Sequence, residues 1–251
     1  MTTQITNQFE GPLKPKTVLI LGSATDAVLA KKWDRNFFEV VVAINNSWRI
    51  RDDWDFNIFP KDFPLEKRPN PGTKQQLISE KEYVPAQNFF GGFVYAGGTM
   101  AFTAAYWVLK ALRPSHIFFL GCDMIYEEGK THFYGRGAPD PLREDITLRS
   151  LEAKSARFEC FAKFNDCEVF NLSKKEKSRL IYRRKKIEDI LSDEVLNSRE
   201  FNQNAIKLAL KKEKDLNYFI EDGKYWKHTS RFKDTEIDAV DKLWLSSIQT
   251  V

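Results

Sequence analysis

The sequence predicts an α/β protein: a Rossmann-like, mostly parallel sheet flanked by helices, with a mainly helical C-terminal appendage. Short apolar runs end in small or polar residues, as in TVLILGS at 17–23 and VVVAINN at 40–46. Strands buried on both faces of a parallel sheet read this way. Stretches of helical apolar spacing alternate with those runs, which implies right-handed crossovers between parallel strands. The segment AGGTMAFTAAYWVLKALRPSHIFFLGCDMIYEEGKTHFYGRGAPDP at 96–141 then joins a glycine pair, an apolar helix, a buried strand and a polar loop. Functional groups just past the carboxyl end of a buried strand are what an open α/β sheet uses to hold a ligand.

Residues 1–16 are expected to be a flexible lead-in, with no apolar core and no secretory signal. A strand at 17–23 leads into a short helix at 25–34. A second strand follows at 40–46 and a third at 56–59, FNIF. Residues 60–85 carry many Pro, Lys and Glu and little periodicity, as in an irregular surface excursion. The helix at 99–112 and the strand at 116–120 come next. Leu151, Ala153, Ala156, Phe158, Phe161 and Ala162 recur at helical spacing over 150–166. EVFNLS at 168–173 is the expected last strand, closing a domain over 17–173.

From 174 the chain turns basic, KKEKSRLIYRRKKIEDI, and then charged with isolated apolar anchors at Leu208, Phe219, Trp226, Leu243 and Trp244. A mostly helical appendage over 174–251 fits this. Trp226 and Trp244 are expected to seat it on the sheet domain, because large aromatic side chains dominate such burial.

Hydrophobic residues make up 42% of 251, enough for a substantial core. The net charge of +4 favours anionic ligands weakly and gives no reason to expect nucleic acid. Cys122, Cys160 and Cys167 lack zinc spacing, and an odd number argues against a disulfide framework, so a cytoplasmic compartment is expected. No apolar run approaches the roughly 20 residues of a membrane span. Membrane contact is expected only at the periphery of the inner membrane, through the basic run at 174–186 meeting anionic lipid or lipopolysaccharide. A homo-oligomer is compatible with the composition.

Four motifs carry candidate chemistry. LGSATD (21–26) is a strand-to-helix turn with Gly22 and Ser23, either a phosphate seat or an ordinary tight turn. It is neither GxGxxG nor a P-loop. INNS (44–47) puts Asn45 and Asn46 at a strand end, where amides can read a base or ribose edge or simply build a turn. GGTMAF (97–102) places Gly98 and Thr99 at a helix start, and Thr99 can cap the helix with or without a ligand. Asp123 stands at the tip of a buried strand, with Tyr126, His132, Tyr134 and Arg136 in the loop beyond it. Such a cluster can hold a phosphate and move a hydroxyl proton. His116 and Cys122 read as structural.

In this order the motifs resemble the bacterial sialyltransferases of glycosyltransferase family 42 and the related motility-accessory-factor and MptE-like proteins. The match covers about 17–173. It runs from the glycine turn through the Asn-tipped strand, the Gly-Thr helix start and I-x-x-x-G-x-D-x-x-Y to H-F-Y-G. The resemblance implies a nucleotide-sugar donor, plausibly linked to cytidine monophosphate. Ser23 would lie at the nucleotide turn, Asn45 or Asn46 and Asn57 would touch nucleotide or sugar, and Gly98 and Thr99 would approach the donor. Tyr126 and Tyr134 would face the leaving phosphate. Two departures stand out: GSATDA replaces the family's G-x-G-P-S, and HFYGRG puts Arg136 where H-Y-I-G-H has its catalytic histidine.

The expectation is a glycosyltransferase moving a sialic-acid-like sugar to a hydroxyl of a surface glycan or a lipid-linked lipopolysaccharide precursor. His132 is its expected base, with Arg136, Tyr134 and Asp123 beside it in the catalytic loop, and the scheme needs neither cofactor nor metal. The alternatives are an MptE-like, Mg-dependent pyrophosphokinase leaning on Asp123 and Asp140, and a non-catalytic nucleotide-binding protein.

Overall fold

A computed structural model describes residues 16–126, 131–135, 143–190 and 199–248. Seven strands form one all-parallel sheet: β1 Thr17–Leu21, β2 Val40–Ile44, β3 Phe56–Ile58, β4 Gln76–Ile78, β5 His116–Leu120, β6 Glu168–Asn171 and β7 Arg183–Arg184. Their order is β4-β3-β2-β1-β5-β6-β7. Connections run outward from β1 in one direction and from β5 in the other, so the topological switch point lies between these two strands. The fold is therefore α/β and Rossmann-like.

Alternation of side chains across the pleat divides the strands between two cores. Val18, Ile20, Val42, Ile117, Phe119 and Val169 face the helices α1 (Glu80–Phe89), α3 (Met100–Ala111) and α4 (Leu151–Phe164). Leu19, Leu21, Val41, Phe118, Leu120 and Phe170 face a layer of short 3₁₀ turns with Ala27, Ala30, Phe38 and Trp54. A four-residue helix, α2 (Phe93–Ala96), links α1 to α3.

Several expected elements change. The helix at 25–34 is a 3₁₀ helix, Thr25–Lys32, pressed against the β5 end: a Cβ on Gly121 would lie 2.6 Å from the Ala27 Cβ. The excursion at 60–85 contains β4 and the start of α1. The latter is capped by Ser79, whose hydroxyl accepts from Lys81 N while Glu82 accepts from Ser79 N. This capping box is readable in SEKE at 79–82. The strand at 168–173 is not the last, because β7 adds to the sheet edge beyond it.

The C-terminal part is mainly helical, with α5 (Gln203–Leu216) and α6 (Asp234–Ser246) packed on α4. Trp244 is fully buried, as expected, but Trp226 is 59% exposed and does not anchor the appendage. Leu208 and Phe219 are exposed too. Buried ion pairs take their place. Arg157 on α4 holds the Glu213 carboxylate of α5 through Nε and Nη2, both at 2.8 Å, and donates to Tyr106 Oη on α3. Trp244 Nε1 donates to the same carboxylate at 2.7 Å, and Lys154 meets Asp241 at 2.7 Å. Among the described residues no helix is long and apolar enough to cross a membrane.

Candidate functional site

Two glycine backbones meet at the switch point. Gly22 N donates to Leu120 O, and Ala24 N donates to Gly121 O. A Cβ on Gly22 would sit 2.2 Å from Gly121 O, so only glycine lets these strand ends close. Gly121 itself has φ +71°. Beside them the end of β2 turns sharply, with Asn45 in the left-handed region at φ 51°. Ser47 fixes that turn by accepting from Ile44 N at 2.7 Å and donating to Leu21 O at 2.6 Å.

These strand ends floor a cavity of about 1080 Å³. Gly22, Ser23, Asn45, Gly98, Thr99, Tyr126, His132 and Tyr134 all line it, so the structure brings together residues that span more than a hundred positions of sequence. The α3 N-terminus opens into it. Thr99 caps the helix by accepting from Phe102 N, and the first-turn residues Met100 and Ala101 line the cavity. A helix start of this kind suits an anion.

The His132 loop is tied to the β1 turn. Phe133 N donates to Ser23 O at 3.0 Å, and His132 and Gly135 exchange backbone hydrogen bonds at 3.0 Å. His132 is 8% exposed and sits between two rings, with Tyr134 stacked at 5.0 Å and Tyr126 tilted at 5.8 Å. Its Nδ1 shares a 2.8 Å hydrogen bond with Thr131 Oγ1. Burial pulls the imidazole pKa below its usual value, which favours the neutral, proton-accepting form.

Three of the expected site residues do not line the cavity. Asp123 is fully buried, and its Oδ1 accepts from Asn171 Nδ2 at 3.1 Å toward β6. Asn57 is also fully buried and donates to Ala43 O and Asn45 O, which makes it a brace for the β2 turn. Asn46 is buried beneath that turn. Arg136 lies outside the described residues, as does Asp140. Asp26, which would repel a phosphate, is held off to one side by Ser173 Oγ at 2.8 Å. Burial, then the nearby Asp123, raises its pKa. Cys122 is buried as expected, with burial pushing its thiol up, although it also lines the cavity floor, and His116 stacks on Phe118 and Phe170.

The second wall of the cavity was not expected, because it comes from the appendage. Tyr225 Oη donates to Asp145 Oδ2 at 3.0 Å and accepts from Arg143 Nη2 at 2.9 Å. Asp145 is fixed in turn by Thr147 N and Oγ1. Burial raises the Tyr225 phenol to about 12, so it remains a donor at neutral pH. A Cβ on Gly98 would lie 2.5 Å from Thr147 Oγ1 and 2.9 Å from Tyr225 Oη, so the glycine pair before α3 is shaped to receive this wall. Aspartate two residues before a threonine was a readable turn signal, but nothing local linked it to a tyrosine 80 residues away.

Fold and cavity together define a Rossmann-like α/β protein with an open cavity at the carboxyl edge of its sheet. No protein-family model matches the chain, and no curated protein or solved structure is significantly similar to it.

Proposed function

We propose that this protein is a glycosyltransferase that uses a nucleotide-activated sugar, plausibly linked to cytidine monophosphate. The acceptor would be a hydroxyl of a surface glycan or lipopolysaccharide precursor, met in the cytoplasm or at the inner membrane. One observation carries the reading: the glycine turn, the Asn45 turn, the α3 N-terminus and the tyrosine-flanked His132 converge on one cavity at the switch point. The order of motifs that resembles the family 42 sialyltransferases supports the same reading. So does the Asn45 side-chain oxygen, which is buried without a hydrogen-bond partner among the described residues. A nucleotide base carrying an amino group would relieve it.

In this scheme Thr131 accepts from His132 Nδ1–H, leaving Nε2 as the base. Nε2 takes the acceptor hydroxyl proton, and the oxygen bonds to the anomeric carbon. The bond from that carbon to the phosphate oxygen breaks, and the phosphate keeps the electron pair. Tyr126, Tyr134 and the α3 N-terminus stabilise the departing anion. Asp123 gives no support to the pyrophosphokinase reading, because its carboxylate faces Asn171 rather than the cavity.

A thermal-shift panel of nucleotides and nucleotide sugars tests the proposal, since a ligand that binds only the folded state stabilises it by about 3 kcal/mol at a hundred times its Kd. Cytidine nucleotides should raise the melting temperature most. Equal shifts for all bases, or a preference for ATP with Mg²⁺, would refute the cytidine donor.

A further inference from the structure

The cavity's 1080 Å³ lies just above the roughly 300–1,000 Å³ typical of small-molecule sites. The strand ends and the His132 loop form part of its lining. Another wall is a different surface, in which Val84 and Phe93 meet the turn carrying Tyr225 and Trp226.

That turn is held in place. Lys224 N donates to Asp222 Oδ1 at 2.9 Å, and Lys227 N donates to Lys224 O at 3.0 Å. Gly223, at φ +72°, lets the backbone press on Phe93 and Val84, where a Cβ would come within 3.1 and 3.2 Å. Phe93 stacks on Tyr225 at 6.1 Å, and Tyr225 meets Trp226 edge-on at 5.4 Å. The row of rings ends in an indole that lines the cavity yet is 59% exposed. A large aromatic surface left in water but immobilised at a cavity mouth is already ordered for a partner.

Charge selects the partner. Four lysine and arginine side chains line the cavity, Lys61, Lys81, Arg143 and Lys224, against four carboxylates, Asp62, Glu80, Asp145 and Asp222. Three of the cations lie within 4 Å of a carboxylate: Lys224 at 3.5 Å from Asp222, Lys61 at 3.9 Å from Glu80, and Arg143 at 3.1 Å from Asp145. With formal charges balanced four against four, this wall has no excess field to draw a phosphate or a carboxylate. It offers an apolar ring face bordered by paired donors and acceptors, which complements an uncharged pyranose with an apolar C–H face and hydroxyls around its edge.

We propose that Trp226, presented by the turn at 222–227, is a saccharide platform that binds an uncharged pyranose on the wall of the cavity supplied by the C-terminal part. The inference rests on the glycosyltransferase reading only in naming that sugar the acceptor. The test is a titration of the full-length protein with methyl β-galactopyranoside, methyl β-glucopyranoside and methyl α-mannopyranoside, followed by tryptophan fluorescence and saturation-transfer NMR. At least one glycoside should saturate the wild-type protein. Trp226→Ala should weaken that binding roughly tenfold or more, while Trp226→Tyr, which keeps a ring, should retain most of it. Because the indole is exposed, neither change threatens the fold. Any nucleotide-induced rise in melting temperature should be the same in all three proteins. The proposal is overturned if none of the glycosides saturates the wild type, if Trp226→Ala binds as well as the wild type, or if it loses nucleotide binding in parallel. A protein that ignores every nucleotide would sink the transferase reading, and the glycoside titration would still decide the platform.

Discussion

Glu213 is where the docking of the C-terminal helices can be measured. Its Oε1 accepts from Arg157 Nε and Trp244 Nε1, and its Oε2 accepts from Arg157 Nη2. Arg157 is 1% exposed. Glu213→Gln keeps the shape but leaves the guanidinium buried without its counter-charge. Removing one partner of a buried pair costs about 3–5 kcal/mol. In a chain of this size, 1 kcal/mol moves the melting temperature by about 2–4 °C, so a fall of roughly 6–20 °C is expected. Arg157→Met strands the carboxylate instead, although Trp244 still donates to it, and should cost a similar amount. The double variant removes both charges and should cost far less than the sum of the singles, since replacing a whole buried pair is often nearly neutral. Urea unfolding at pH 7, followed by both circular dichroism and tryptophan fluorescence, reads all three. The reasoning fails if either single change costs under about 1 kcal/mol, or if the two probes separate and show α5 and α6 melting alone.

Other outcomes follow from the same structure. His132→Ala should lower turnover roughly a hundredfold while changing donor affinity little; full turnover with a true donor and acceptor would make His132 a bystander. Burial lowers the imidazole pKa, so the acid limb of the wild-type rate profile should fall at a pH below the ordinary 6.5, and a limb above that value would contradict the site. Burial raises Glu159 from 4.5 to about 7, against the pull of Arg199 at 2.8 Å. The folded state therefore binds more protons than the unfolded state between these values. Stability should fall by about 3 kcal/mol as pH rises through that window, and Glu159→Gln should flatten the slope in denaturant titrations at several pH values. Gly121→Ala should destabilise by about 2–4 kcal/mol, from a left-handed backbone and the Ala27 contact at 2.6 Å; a calorimetric change within error would refute the close approach of the strand ends.

Burial and capping explain which features the sequence exposes. β1, β2 and β5 are five-residue runs buried on both faces, so they appear as unbroken apolar words. α3 carries its own cap at Thr99 and a continuous apolar surface. β4 and β7 have three residues and two, too short for any periodicity, and β7 consists of two arginines, whose side chains reach Glu168 and Ser173 O. The strand-end lining of the cavity was readable because strand-end chemistry is local. The Tyr225 wall was not, because it exists only once α5 and α6 have docked. Trp226 was misjudged for a physical reason: an isolated tryptophan in charged sequence looks the same whether it anchors a core or lines a cavity. Asp123 and Asn57 looked like ligand groups because a buried polar side chain needs a partner, and here Asn171 meets Asp123 Oδ1 while Ala43 O and Asn45 O accept from Asn57 Nδ2.

The pairing of Arg157 with Glu213 also sets an order of events on the ribosome. Fifty-six residues separate the two, which at 5–20 residues per second is roughly 3–11 s of translation. For most of that interval every element from β1 to α4 has been synthesised, yet the central guanidinium still lacks its counter-ion. Tyr225 and Trp226 emerge later still. The nascent sheet can form, but its cleft lacks one wall until the last helices arrive. A chaperone or protease meeting the unfinished chain would encounter a positively charged, unsealed flank on α4, and completed synthesis closes that flank in the same movement that completes the site.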